Sequence, residues 1–176
     1  MRTYPDYKRL SLPLRRHQLT HALCYASWAI LSLVVGGVAM QFTNGQWHHF
    51  VHMHAAWGSI NLLISGWCLY KANQLSPALS VRVTAKKERE FRRFLAVNLG
   101  LDLLYIITGL WLCMSATGAA THRALRLGFG EAICLQGMVL LSFDLVSTFA
   151  SRGRYQMIVS KQRTLHRQTE AGQPVG

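Results

Sequence analysis

The sequence predicts an all-α integral membrane protein, a four-helix bundle of antiparallel up-down topology with both the N and C termini cytoplasmic. Three observations predict it. Four stretches, 21–42, 50–70, 94–118 and 131–151, are nearly free of charge, and each holds about the 20 residues needed to cross a hydrocarbon core roughly 30 Å thick. They are too long and too uniformly apolar for barrel strands of roughly ten alternating residues, and lipid leaves the helix as the other way to satisfy a backbone. Finally, Lys and Arg alternate with the spans. Five precede the first span, seven lie between the second and third, and five follow the fourth, against two (Arg123 and Arg126) in the remaining connections. The positive-inside rule places the rich side, and with it both ends, in the cytoplasm.

That placement also interprets the net charge of +12. The basic residues show no regular interleaving with aromatic ones, so nucleic acid is not the expected partner. The expected partners are the lipid bilayer and the anionic headgroups of its cytoplasmic leaflet. The organisation that follows is a cytoplasmic lead (1–20), a transmembrane bundle (21–151) and a basic cytoplasmic tail (152–176). Cys24, Cys68, Cys113 and Cys134 fall one to each span, without the close spacing of a thiol redox motif, and are expected to pack as small hydrophobes.

Pro5 and Pro13 argue against one continuous helix in the lead. His17 and His21 stand one turn apart, but Arg15 and Arg16 beside them disfavour a bound cation, so they are read as interfacial histidines. In span one, Tyr25 and Trp28 are read as packing residues, and Gly36-Gly37 as a place where a neighbouring backbone can approach. The short link 43–47 carries the turn signal Asn44-Gly45 and predicts a hairpin of spans one and two.

Span two opens on a histidine cluster, HHFVHMH. On a regular helix His48 and His52 share a face, while His49 lies about 100° round and His54 about 200° beyond His52. At most two of the four can then serve one ion, or three if the helix start is unwound. His54 continues into a stripe with Gly58, Asn61 and Ser65, small and polar among large apolar neighbours, which should face other helices.

The connection to span three holds Pro77 in a loop and then a basic helical extension from Val83, where Glu88 and Arg92 form an i, i+4 pair in the favourable order. Asn98, Asp102 and Tyr105 make one polar face of span three. An ionised Asp at that depth costs about 2.5–3.5 kcal/mol on insertion scales, so Asp102 is expected to be protonated, paired or facing water, with Asn98 and Asn61 as donors in reach. Span four is expected to start at Glu131, where a carboxylate suits the first turn of a helix, and to carry Gln136 and Asp144 on one side. The tail holds an interfacial turn at 155–159, and 171–176 are expected to be disordered.

Two polar layers follow. The inner one holds Asn61, Ser65, Asn98, Asp102, Tyr105 and Asp144, and is the candidate small-ligand or proton-linked site, with Gln136 above it. The outer one holds His48, His49, His52, His54, His122 and Glu131. Of these, His48, His52, His54, His122 and Glu131 are candidate ligands for a transition metal, and His122 is the natural second axial ligand should a haem sit there. A third reading is a non-catalytic subunit or scaffold, as a homo-oligomer or in a larger membrane complex. No Ser/His/Asp or Cys/His order, phosphate loop or paired zinc motif appears, so no enzymatic reaction is indicated.

The segments HHFVHMHAAWGSINLLISG, FLAVNLGLDLLYIITG and GFGEAICLQGMVLLSFDL together resemble a family of small bacterial membrane proteins classed by a domain of unknown function. The resemblance rests on 56–61, 98–102 and 136–144 and covers about three of the four spans. It implies a four-span fold in the bacterial inner (cytoplasmic) membrane and treats Asn61, Asn98, Asp102, Gln136 and Asp144 as one set. It implies no activity.

Overall fold

A computed structural model describes residues 4–76, 79–118 and 122–170. The described residues form four helices: α1 (Tyr4–Ala39), α2 (Gly45–Asn73), α3 (Val81–Ser115) and α4 (Arg123–Glu170), with a short 3-10 turn, Ala116–Gly118, after α3. The chain turns at 40–42, just before the expected Asn44-Gly45, which instead form the entry to α2, with Gly45 at a φ of 58°, the left-handed region open to glycine. Ser80 caps α3, its hydroxyl accepting from the Val83 amide at 3.4 Å. Pro77 and the segment 171–176 lie outside the described residues.

Among the described residues three helices are long and apolar enough to cross a membrane, one within each of α1, α3 and α4. α2 has the length, at 29 residues, but its four histidines and its stripe of Ser and Asn dilute its hydropathy. Of those polar groups, His54, Asn61 and Ser65 face inward, while His52 is exposed. The buried residues of α2 are Val51, His54, Ala55, Gly58, Asn61, Ser65 and Ala72, the stripe expected from the spacing.

The radial distribution of side chains is inverted relative to a water-soluble bundle. Leu23, Ile30, Val34, Leu63, Ile64, Val97, Leu104, Ile107, Val146 and Phe149 point away from the protein. His21, Ser32, His54, Asn61, Ser65, Asp102, Gln136 and Asp144 are buried. In water this arrangement would expose the apolar surface and bury the polar groups at a cost, whereas in lipid it is the expected one. Apolar packing reappears at and beyond the ends of the predicted spans, where Leu14, Phe91 and Leu95 cluster and Val81, Ala85 and Ile158 form a second group.

Several boundaries differ from those the sequence predicts. α1 is continuous from Tyr4 and passes through Pro13. Pro5 sits in the first turn, where its missing N–H costs little. Pro13 breaks one helical hydrogen bond, which the burial of Leu14 against Phe91 and Leu95 helps to offset. α4 starts at Arg123 and runs for 48 residues. Glu131 is therefore two turns inside the helix, away from its positive end, and no turn interrupts 155–159. Glu88 does not pair with Arg92; it turns toward α4, as described below.

Small residues let the helices touch backbone to backbone. A Cβ added to Gly36 would stand 2.7 Å from the Val51 carbonyl oxygen, and one added to Gly58 would stand 2.7 Å from the Leu33 amide nitrogen. Between α3 and α4 the approach is mutual, since a Cβ on Gly109 would lie 2.6 Å from the Gly130 oxygen and one on Gly130 would lie 2.7 Å from the Gly109 oxygen. Gly109→Val is accordingly expected to destabilise the bundle by about 1–3 kcal/mol, the usual cost of overpacking. Gly37→Val, with nothing within 4 Å of its added Cβ, should be close to neutral. Thermal unfolding of the two variants in one detergent checks the contrast.

Candidate functional site: a polar column through the bundle

The buried polar groups are arranged in three nodes along the bundle. In the first, Gln136 on α4 joins three helices. Its Oε1 accepts from Trp28 Nε1 at 2.7 Å and from Asn61 Nδ2 at 3.4 Å. Its Nε2 donates to Ser32 Oγ at 3.2 Å and to His54 Nδ1 at 3.0 Å. An amide has two acceptor and two donor positions, and here all four are used. Because Gln136 can only donate through Nε2, His54 accepts at Nδ1 and carries its proton on Nε2. The His54 ring is further fixed between Trp28, edge-on at 5.5 Å, and Phe50, stacked at 5.8 Å.

The second node is built on Asp144, which is fully buried. His21 Nε2 lies 2.7 Å from its Oδ1, and Tyr25 donates its hydroxyl to Oδ2 at 2.7 Å. Asn98 lies near the same Tyr25 hydroxyl, and Asp102 on α3 is close enough to Asp144 for the two carboxyls to interact electrostatically. Asp102 is itself 2% exposed, and its Oδ2 has no partner. Among the described residues no Lys or Arg is bonded to either carboxyl, and one oxygen of Asp102 is left for a donor.

A third node closes the column beside the start of α3, where Glu88 lies. Arg154 makes a two-point contact with Glu88, Nε to Oε2 at 2.8 Å and Nη2 to Oε1 at 3.1 Å. Its Nη2 also donates to His17 Nδ1 at 2.7 Å. The Glu88 side chain is fully buried and that of Arg154 is 12% exposed, so this ion pair is shielded from water.

Of the residues singled out from sequence, Asn61 and Gln136 fall together in the first node, and Asn98, Asp102 and Asp144 in the second. Ser65 is buried but donates locally, to the Leu62 carbonyl at 3.0 Å. Tyr105 packs its ring on Trp57 at 4.8 Å. The candidate metal ligands are dispersed. His54 belongs to the Gln136 node, Glu131 accepts from Gln46 at 2.8 Å, His52 stacks on Phe129, His48 lies against His49, and His122 is exposed. Among the described residues no group of three or more His, Cys, Asp or Glu could hold a metal ion.

Sequence reasoning missed the contribution of α1. His21, Tyr25, Trp28 and Ser32 all point inward, and each bonds to α4. The signal was present, since these positions are spaced by four, three and four, the same spacing as His54, Gly58, Asn61 and Ser65. His17, one turn before His21, continues the same spacing, whereas the Glu88–Arg154 pair carried no such signal, because it joins residues 66 positions apart on two helices.

No curated protein and no solved structure matches the chain. Residues 24–145 match the model of a family of unknown function, DUF6992, which spans more than half of the chain, and the protein belongs to that family.

Proposed function

We propose that the protein is a four-span protein of the bacterial inner membrane, antiparallel, with both termini cytoplasmic, and that its Asp102–Asp144 node binds and exchanges a proton. One observation carries the reading. Two buried carboxyls from different helices interact in the polar interior, one of them held by His21 and Tyr25 and the other with an unpartnered oxygen. Two like charges at such a distance in a poorly solvated site repel strongly, and a proton held between them removes the repulsion and supplies the missing donor. His21 and Tyr25 are the groups through which that proton can be relayed, since each touches a different oxygen of Asp144. The inner membrane and the orientation draw support from the alternation of basic residues in the sequence.

Infrared difference spectra of the purified protein across a pH step test this reading. The wild type should show a protonated-carboxyl band that gains or loses intensity with pH, and Asp102→Asn and Asp144→Asn should each remove it. A band that persists unchanged in both variants, or no carboxyl band in the wild type, rejects the proposal.

A further inference from the structure

A cleft of about 440 Å³ opens between α1, α2 and α3 at the level where α2 ends and α3 begins. That size is within the range of roughly 300–1,000 Å³ typical of small-molecule sites. Its lining is divided in character. Trp67, Phe91 and Phe94 give it an aromatic wall, and Lys71, Lys87, Gln18 and Gln74 give it a cationic and amide rim, with His21 at the inner end. The two ammonium groups come from different helices and are only partly neutralised. Lys87 bonds to Glu90 at 2.9 Å across an exposed pair, while Lys71 rests over the Trp67 ring at 5.6 Å. Nearby, Arg15 holds the Asn73 amide at 3.4 Å and keeps a buried Nε without a partner, so the edge carries cationic charge in excess. Trp67 is 58% exposed on the outward, apolar surface. The cleft is thus open sideways to lipid as well as endwise to water.

We propose that this cleft binds an amphipathic anion, with its apolar chain among Trp67, Phe91 and Phe94 and its charged head on Lys71 and Lys87. The division of the lining supplies the argument. A purely ionic ligand would leave the aromatic wall unused, and a purely apolar one would desolvate two ammonium groups without compensation. A molecule with one anionic end and one apolar chain satisfies both halves and can enter from the bilayer past Trp67. Glu90 acts against the head, and its bond to Lys87 must be shared or given up when the cleft fills.

The test is a melting-temperature titration of the purified protein in an uncharged detergent. The additives are dodecanoate, dodecyl phosphate, phosphatidylglycerol, dodecanol and inorganic phosphate. Saturable stabilisation is expected from the amphipathic anions, with none from dodecanol or inorganic phosphate. Stabilisation by the single-chain compounds identifies a free amphiphile, and stabilisation by phosphatidylglycerol alone identifies a membrane lipid. Lys71→Gln with Lys87→Gln should weaken the apparent affinity about tenfold, in line with the loss of charge-assisted contacts, and Glu90→Gln should strengthen it. Equal stabilisation by dodecanol, or unchanged affinity in both the lysine double variant and Glu90→Gln, overturns the assignment, as does no stabilisation by any of the anions. These variants leave Asp102 and Asp144 intact, so the infrared band reports on the proton site separately.

Discussion

Arg154→Ala is expected to destabilise the protein by about 3–5 kcal/mol, the range for removing one partner of a buried ion pair. The loss is large because Glu88 is fully buried and would be left as an uncompensated carboxylate, while His17 would lose its donor. Arg154→Lys should recover only part of the loss, since a single ammonium cannot reproduce the two-point contact through Nε and Nη2. The instructive comparison is Glu88→Met with Arg154→Met. Replacing a buried pair by apolar side chains is often close to neutral, so the double variant should be more stable than Arg154→Ala alone. Reversible unfolding of the four proteins by an anionic detergent titration gives the answer. A double variant as damaged as the single one would show that the pair is not what holds α3 to α4 there.

Asp144→Ala is expected to have the next largest effect, about 2–5 kcal/mol, because it strips His21 and Tyr25 of their acceptor at once. Interhelical hydrogen bonds in membranes average only about 0.6 kcal/mol, so a single lost bond would not justify that figure. The larger value applies because both donors stay buried, at 5% and 6% exposure, and each orphaned group costs about 1–3 kcal/mol. Asp144→Asn keeps one oxygen acceptor but turns an amide N–H toward one of the two donors, so its loss should be intermediate. Tyr25→Phe removes a donor and an acceptor position together and should be milder than either. The same unfolding assay ranks the three variants, and a rank order with Tyr25→Phe as the most damaged would contradict this account of the node.

The helices were legible in the sequence because a run of about 20 uncharged residues has few other solutions in lipid. The buried stripe of α2 was legible for a related reason: Gly58, Asn61 and Ser65 contrast with their neighbours in both size and polarity. α1 hid its contribution. Tyr25 and Trp28 are as comfortable facing lipid as facing a protein interior, and His21 sits beside charged residues that suggest a headgroup environment. Only their shared spacing distinguished them. The Glu88–Arg154 pair was obscured by a local alternative, because Arg92 stands at the right helical distance to satisfy Glu88. Local spacing cannot reveal that α4 continues far enough past the fourth span to bring Arg154 alongside. The histidine run misled in the opposite sense: it is conspicuous in sequence, but the helix spreads its members around the axis, and only His54 enters the interior.

α4 carries one member of every node: Gln136, Asp144 and Arg154. The first and last are 18 residues apart, five full turns at 3.6 residues per turn, so they project in the same direction, and Asp144 lies about 80° from that line. The three contacts are therefore fastened to one rod. Turning that rod about its axis by a single residue step of roughly 100° would withdraw all three side chains from their partners together. A displacement of α4 that opened the Glu88–Arg154 clamp would then also disturb the contacts of Asp144 and Gln136.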